Sequence, residues 1–90
     1  MTKHEAQVAH ASGVLFREAI NSNLYAKSYP DRAAKGAEAA EDYANWLNAN
    51  GHHVQLEIVE ENGRRRVVTA TIDGVTWVRN GAFVQDPAER

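Results

Sequence analysis

The sequence contains no cysteine. Disulfides, thiolate zinc sites and a cysteine nucleophile are therefore excluded. Small extracellular domains are commonly stapled by disulfides, so a reducing, cytoplasmic setting is expected. Long apolar runs are also missing, and no segment reads as a membrane span. The opening residues, Met1-Thr2-Lys3-His4-Glu5, are polar and lack the apolar core of a secretory signal. There is no internal repeat and no low-complexity tract. Nor is there a surplus of one charge. Ten Lys and Arg face twelve Asp and Glu, for a net charge of −2. The balance holds within each part: five basic and six acidic residues in 1–50, and five and six again in 51–90. Non-specific binding to nucleic acid or to an anionic membrane draws on excess Lys and Arg, which this chain lacks.

Ninety residues permit one domain. A chain this short buries only about 60–65% of the surface it exposes when unfolded, which leaves little room for a deep substrate cleft. The domain is expected over residues 1–85, with Asp86-Pro87-Ala88-Glu89-Arg90 as a free tail.

What is present divides in two. Twelve of fifteen alanines lie at or before Ala49, and seven of nine valines lie at or after Val54. Alanine favours helix and valine favours a pleated sheet. The Asn48-Ala49-Asn50-Gly51 run between them is a helix stop. A first helix is predicted from about His4 to Asn23, with Val8, Ala11, Ser12, Leu15, Phe16, Ala19 and Ile20 on one side. A second should start near Ser28 as cap, with Pro30 in the first turn and Asp31 completing a capping box. Its inward stripe is Ala33, Gly36, Ala37, Ala40, Tyr43, Ala44 and Leu47. The first turns of that stripe carry almost no bulk, which lets another element approach closely.

The second half reads as a meander of four strands: His53–Glu60, Arg65–Ile72, Val75–Arg79 and Ala82–Gln85. Asp73-Gly74 and Asn80-Gly81 are two-residue hairpin signals. At Glu61-Asn62-Gly63, parity decides the expectation. A two-residue turn would pair Ile58 with Val67 and Leu56 with Thr69, mixing apolar and polar faces. A three-residue loop pairs Leu56 with Val68 and Val54 with Ala70, which keeps the faces clean. The later hairpins then pair Ala70 with Trp77 and Trp77 with Val84. The predicted inner face is Val54, Leu56, Ile58, Val68, Ala70, Ile72, Val75, Trp77 and Val84. The predicted fold is α+β, with two N-terminal helices packed on one face of a four-stranded antiparallel meander sheet, in the order ααββββ.

Chemistry-bearing constellations are sparse. His4 and His10 lie six apart, and His52 and His53 are adjacent; neither pair has metal-ligand spacing. The carboxylates Glu38, Glu41, Asp42, Glu60 and Glu61 fall on solvated faces, without the cleft that paired acid catalysis requires. Ser12, Ser22 and Ser28 have no Gly-rich elbow and no local base. Gly51, Gly63, Gly74 and Gly81 are accounted for by turns and form no phosphate-cradling pattern. No catalytic residue, cofactor or metal is expected.

Two features remain. Arg64-Arg65-Arg66 forms a basic hairpin end beside Glu60 and Glu61. The outer face of the sheet is expected to gather Val59, Val67, Val78 and Phe83 into an apolar patch rimmed by Glu57, Arg65 and threonines. Such a patch is typical of an interaction site. The expected function is a non-enzymatic protein-binding module that occludes a surface of another protein, such as a host macromolecular complex. Its contact residues would be Val59, Arg64, Arg65, Arg66, Val67, Val78 and Phe83. In size and style it is like small bacterial or phage accessory inhibitors, anti-CRISPR proteins among them, though no motif ties it to a family. The alternatives are a nucleic-acid binder that uses the Arg64–Arg66 hairpin and a structural homodimer.

Overall fold

The computed structural model describes residues 2–61 and 63–87, with Asp86 and Pro87 described by their backbone. The elements are α1 (Lys3–Leu24), α2 (Pro30–Ala49), β1 (Val54–Glu61), β2 (Arg64–Ile72), β3 (Val75–Arg79) and β4 (Ala82–Pro87). The architecture is α+β in ααββββ order, with both helices packed on a four-stranded antiparallel sheet of order β1-β2-β3-β4.

Helix α1 begins with a reciprocal cap. The Thr2 hydroxyl accepts from the Glu5 N–H at 3.1 Å, and the Glu5 carboxylate accepts from the Thr2 N–H at 3.1 Å. The capping box predicted for α2 does not form. Its N-cap is Tyr29, which makes no side-chain cap, and Pro30 occupies the first turn. The residue before a proline is kept out of the helical region, so α2 cannot start as early as Ser28. The inward stripe of α2 is as predicted, with Ala33, Gly36, Ala37, Ala40, Ala44 and Leu47 buried; Tyr43 is half-buried.

The bare start of that stripe serves a close crossing. A Cβ on Gly36 would lie 2.9 Å from the Glu18 carbonyl oxygen and 3.3 Å from the Ser22 nitrogen. The two helices therefore touch nearly backbone to backbone. Leu15, Ala19, Ala37, Ala40 and Leu47 lie in one core with Val54, Val67, Ala70, Ile72 and Val78 of the sheet.

The register departs from expectation in an informative way. Glu61 pairs with Arg64 and Ile58 with Val67, as in the two-residue connection that face parity argued against; Asn62 itself lies outside the described residues. The pairing shifts between Glu57 and Ile58, so Glu57 faces Thr69, Leu56 faces Ala70 and Val54 faces Ile72. A bulge in β2 thus restores the core face, and Val67 and Val68 are both buried. A second shift sits between Ala70 and Thr71. Ala70 pairs with Val78 rather than Trp77, because Trp77 is the extra residue of β3. Ile72 pairs with Val75 and Arg79 with Ala82, as the two-residue turns at Asp73-Gly74 and Asn80-Gly81 require. The ladder runs past Gln85, with Asp86 opposite Thr76 and Pro87 opposite Val75; residues 88–90 lie outside the described residues.

Candidate functional site

The two bulges decide which residues face outward. Val67 and Val78, expected on the outer face, are both 0% exposed and belong to the core beneath the helices. One extra residue in a strand inverts the facing of everything beyond it, so the outer patch drawn through these two valines does not exist. Arg65 is inverted as well. Its Nη2 lies 2.7 Å from Glu41 Oε1 of α2, on the helix side of the sheet. Val59 is half-buried opposite Arg66. Val78 does pair with Phe83, but on the inner side, where Phe83 meets α1.

That inversion assembles an aromatic cluster at the flank of the molecule. Phe16 of α1 stacks on Trp77 of β3, with centroids 5.1 Å apart and planes at 22°. Phe83 of β4 lies 6.1 Å from Phe16 and 5.9 Å from Trp77. Separations and tilts of this kind suit the ring quadrupoles. Phe16, Ile20 and Leu24 follow each other at four-residue spacing along one side of α1. The cluster is incompletely covered, with Phe83 54% exposed; Val84, next to it in β4, and Leu24, at the end of α1, are 39% and 68% exposed. These three, with Tyr29, are the exposed large hydrophobic residues among the described residues.

Immediately beside the flank, the last turn of α1 closes a gap in the sheet. Strand β3 pairs with β2 only as far as Thr69, so among the described residues Val67 and Val68 have no strand on that side. Side chains take its place. The Ser22 hydroxyl accepts from the Val67 N–H at 2.9 Å and donates to the Ala19 carbonyl at 2.7 Å. Asn23 Nδ2 donates to the Val67 carbonyl at 2.6 Å and to the Ala19 carbonyl at 2.9 Å. The Gly81 N–H donates to the Val68 carbonyl at 3.1 Å. A Cβ on Gly81, whose φ is +78°, would fall 2.6 Å from Asn23 Cγ. The seam thus explains the residue type at 22, 23 and 81. At the other edge of the sheet, Asn48 treats Val54 similarly, accepting from its N–H at 2.8 Å.

The arginine end is split by strand alternation. Arg65 is neutralised from the helix side by Glu41, with Glu60 at 4.0 Å. Arg66 lies against the seam, donating from Nη1 to Asn23 Oδ1 at 3.2 Å, and its Nη2 is 3.6 Å from Glu61 Oε1. Arg64 and Arg66 line a small pocket with Ala26, Lys27 and Glu61.

Two further features bear on chemistry. A groove of about 560 Å³ runs between the start of α1 and the end of α2, lined by Ala6, Ala11, Tyr43 and Trp46 with Lys3, His10 and Asp42 among its polar residues. At the opposite edge, Asp73 occupies the left-handed region at φ 51° in the β2–β3 turn. Its carboxylate accepts from the His53 N–H at 2.8 Å and lies 2.7 Å from His52 Nδ1. These bonds, the His52 side chain first and the His53 backbone second, hold its pKa below the usual aspartate range. Among the described residues, no three His, Asp or Glu side chains gather as metal ligands, and no buried side-chain nitrogen or oxygen lacks a hydrogen-bond partner. No described helix is long and apolar enough to cross a membrane.

One sequence signal for the flank exists. Val67-Val68 and Trp77-Val78 are adjacent apolar pairs inside strands, where strict alternation forbids them and a bulge allows them. The Ser22-Asn23 seam has no comparable local signal, because its partner lies more than forty residues away. Comparison with known proteins returns no matching family model, no similar curated protein and no similar solved structure.

Proposed function

We propose that this chain is a non-enzymatic protein-binding module that docks a different protein through the α1–β4 flank. The observation that carries this reading is the exposure of Phe83, which is 54% open to water beside the Phe16–Trp77 stack. Aromatic residues in a contiguous apolar patch are the usual energetic centre of a protein interface. The patch is backed by fully packed structure, so it requires little ordering when a partner arrives.

A different protein suits the flank better than a second copy paired strand to strand. β4 is an edge, but Gln85 sits at φ 50° and breaks its regularity. Irregular edges resist addition of another strand. Side-chain docking onto the rings is the mode that remains. The Arg64–Arg66 end lies nearby, separated from the flank by Asn23, which touches both Arg66 and the Gly81 turn.

A photo-crosslinking amino acid at Phe83 tests this, with one at Gln55 on the far face as control. The expected result is one stoichiometric adduct with another protein from position 83 and none from position 55. The purified pair should then lose at least tenfold in affinity on Phe83→Ser, equivalent to about 1.4 kcal/mol. Equal crosslinking from both positions, or unchanged affinity, overturns the reading. An adduct with a second copy of the chain replaces it with a structural homodimer.

A further inference from the structure

The three consecutive arginines do not act as one patch. Arg65 turns to the helix side and meets two carboxylates, Glu41 at 2.7 Å and Glu60 at 4.0 Å. Arg64 and Arg66 share a pocket of about 180 Å³ with Lys27, where Glu61 is the single acidic lining residue among the described residues. Three cations and one carboxylate leave that pocket at +2, on a chain whose net charge is −2. Opposite charge within a few ångströms normally neutralises such groups, and here two of the three are left over. Lys27 and Arg64 make no ion pair with any described residue.

The pocket is built from anchored pieces. Arg66 is fixed by Asn23 Oδ1 at 3.2 Å and Glu61 at 3.6 Å, and Asn23 is itself bonded to Val67 and Ala19. The loop carrying Lys27 is closed by the Ala26 N–H on the Asn23 carbonyl and the Tyr29 N–H on the Tyr25 carbonyl. Arg32 lies 4.0 Å over the Tyr25 ring, which braces the same loop. Guanidinium groups offer planar pairs of donors matched to oxyanions, and a lysine adds a mobile point charge.

We propose that Lys27, Arg64 and Arg66 form a binding site for one doubly charged tetrahedral oxyanion, a phosphate monoester or inorganic phosphate. A nucleic-acid backbone fits less well. A polymer needs a track of cations and stacking platforms, whereas Arg65 and Arg32 are engaged, Arg65 by Glu41 and Arg32 by Tyr25. The site does not involve Phe83, Val84 or Leu24, so it stands or falls apart from the docking flank.

The experiment is an amide NMR titration of the whole chain with inorganic phosphate and, separately, with glycerol phosphate. Ionic strength is held constant with chloride. Saturable shifts at Lys27, Arg64 and Arg66 are expected, and chloride alone should not reproduce them. Arg64→Gln and Lys27→Gln should each weaken binding at least fivefold, while Arg17→Gln leaves it unchanged. Saturation by inorganic phosphate alone assigns the site to the free ion; saturation by both assigns it to monoesters in general. Absence of saturation, or equal binding by the Arg64→Gln and Lys27→Gln variants, overturns the proposal. A single-stranded oligonucleotide that binds more tightly than phosphate, with a salt dependence of several charges, overturns it in favour of a polymer.

Discussion

Two neighbouring regions of α1 meet the sheet in opposite ways. At its last turn, Ser22 and Asn23 are bonded into β2, and the glycines at 36 and 81 leave no room for a Cβ. At the preceding turns, Phe16 meets Trp77 of β3 and Phe83 of β4 in an aromatic cluster that stays open to water. The closed region is polar and every contact in it is specific. The open region is apolar and has no cover among the described residues. The contrast shows that the flank is not open because the helix is loosely placed. The helix is pinned within one turn of it, so the exposed rings occupy a fixed position.

Substituting one residue type in the core and on the open flank gives the largest effect. Leu15→Ala, in the core, should cost about 2–5 kcal/mol in a denaturant melt. Leu24→Ala, on the open flank, should cost less than about 0.5 kcal/mol. Similar losses at both positions would erase the comparison. Next is Ser22→Ala, which leaves the buried Val67 N–H without its acceptor; the expected loss is about 1–3 kcal/mol, read from the same melt. Ser22→Thr keeps the hydroxyl but adds a methyl next to Gly36, so it should recover only part of the loss.

A smaller effect isolates the contact between Gly81 and Asn23. Gly81→Ala places a methyl against Asn23 at a left-handed φ and should lose about 1–3 kcal/mol. In the Asn23→Ala background the steric part of that loss should vanish and the backbone part remain. A double-mutant cycle measures the difference. Strict additivity would show that the seam is looser than described.

The smallest effect concerns the distant edge, where Asp73 joins the β2–β3 turn to His52 and His53. Its folded pKa is depressed by those bonds. The associated stability is therefore fully present above the pKa of an unfolded aspartate, about 3.9, and is lost as pH falls through the lower folded value. Glu5, held low first by its bond to the Thr2 backbone, adds in the same direction. Stability curves of the parent and Asp73→Asn should thus diverge near neutrality and converge below about pH 4. A gap that widens on acidification would contradict the sign.

The layers of the fold were legible because alanine and valine segregate so strongly along the chain, and because Asp73-Gly74 and Asn80-Gly81 specify their hairpins locally. The inward stripes of both helices followed from spacing alone. The faces of β2 and β3 did not. Strict alternation along both strands requires a longer first turn. The molecule instead keeps the tighter register and absorbs the mismatch at Val67-Val68 and Trp77-Val78. Two adjacent apolar residues can be reconciled either way within one strand. Only packing against α1, through Phe16 and Ser22, selects the bulged solution. The same limit explains the candidate site. Phe83 was expected to be exposed, and it is, but its neighbours are Trp77 and Phe16 rather than Val67 and Val59.

Docking through this flank depends on which residues of β2, β3 and β4 face outward, and that is measurable without a partner. A soluble paramagnetic agent broadens methyl and ring signals in proportion to their exposure. The Leu24 and Val84 methyls and the Phe83 ring should broaden strongly, while the Val67 and Val78 methyls stay as sharp as those of Leu15 and Leu47. Broadening of Val67 and Val78 to the level of Val84 would mean that the strands are not bulged, and that the flank described here is not the open surface of the protein.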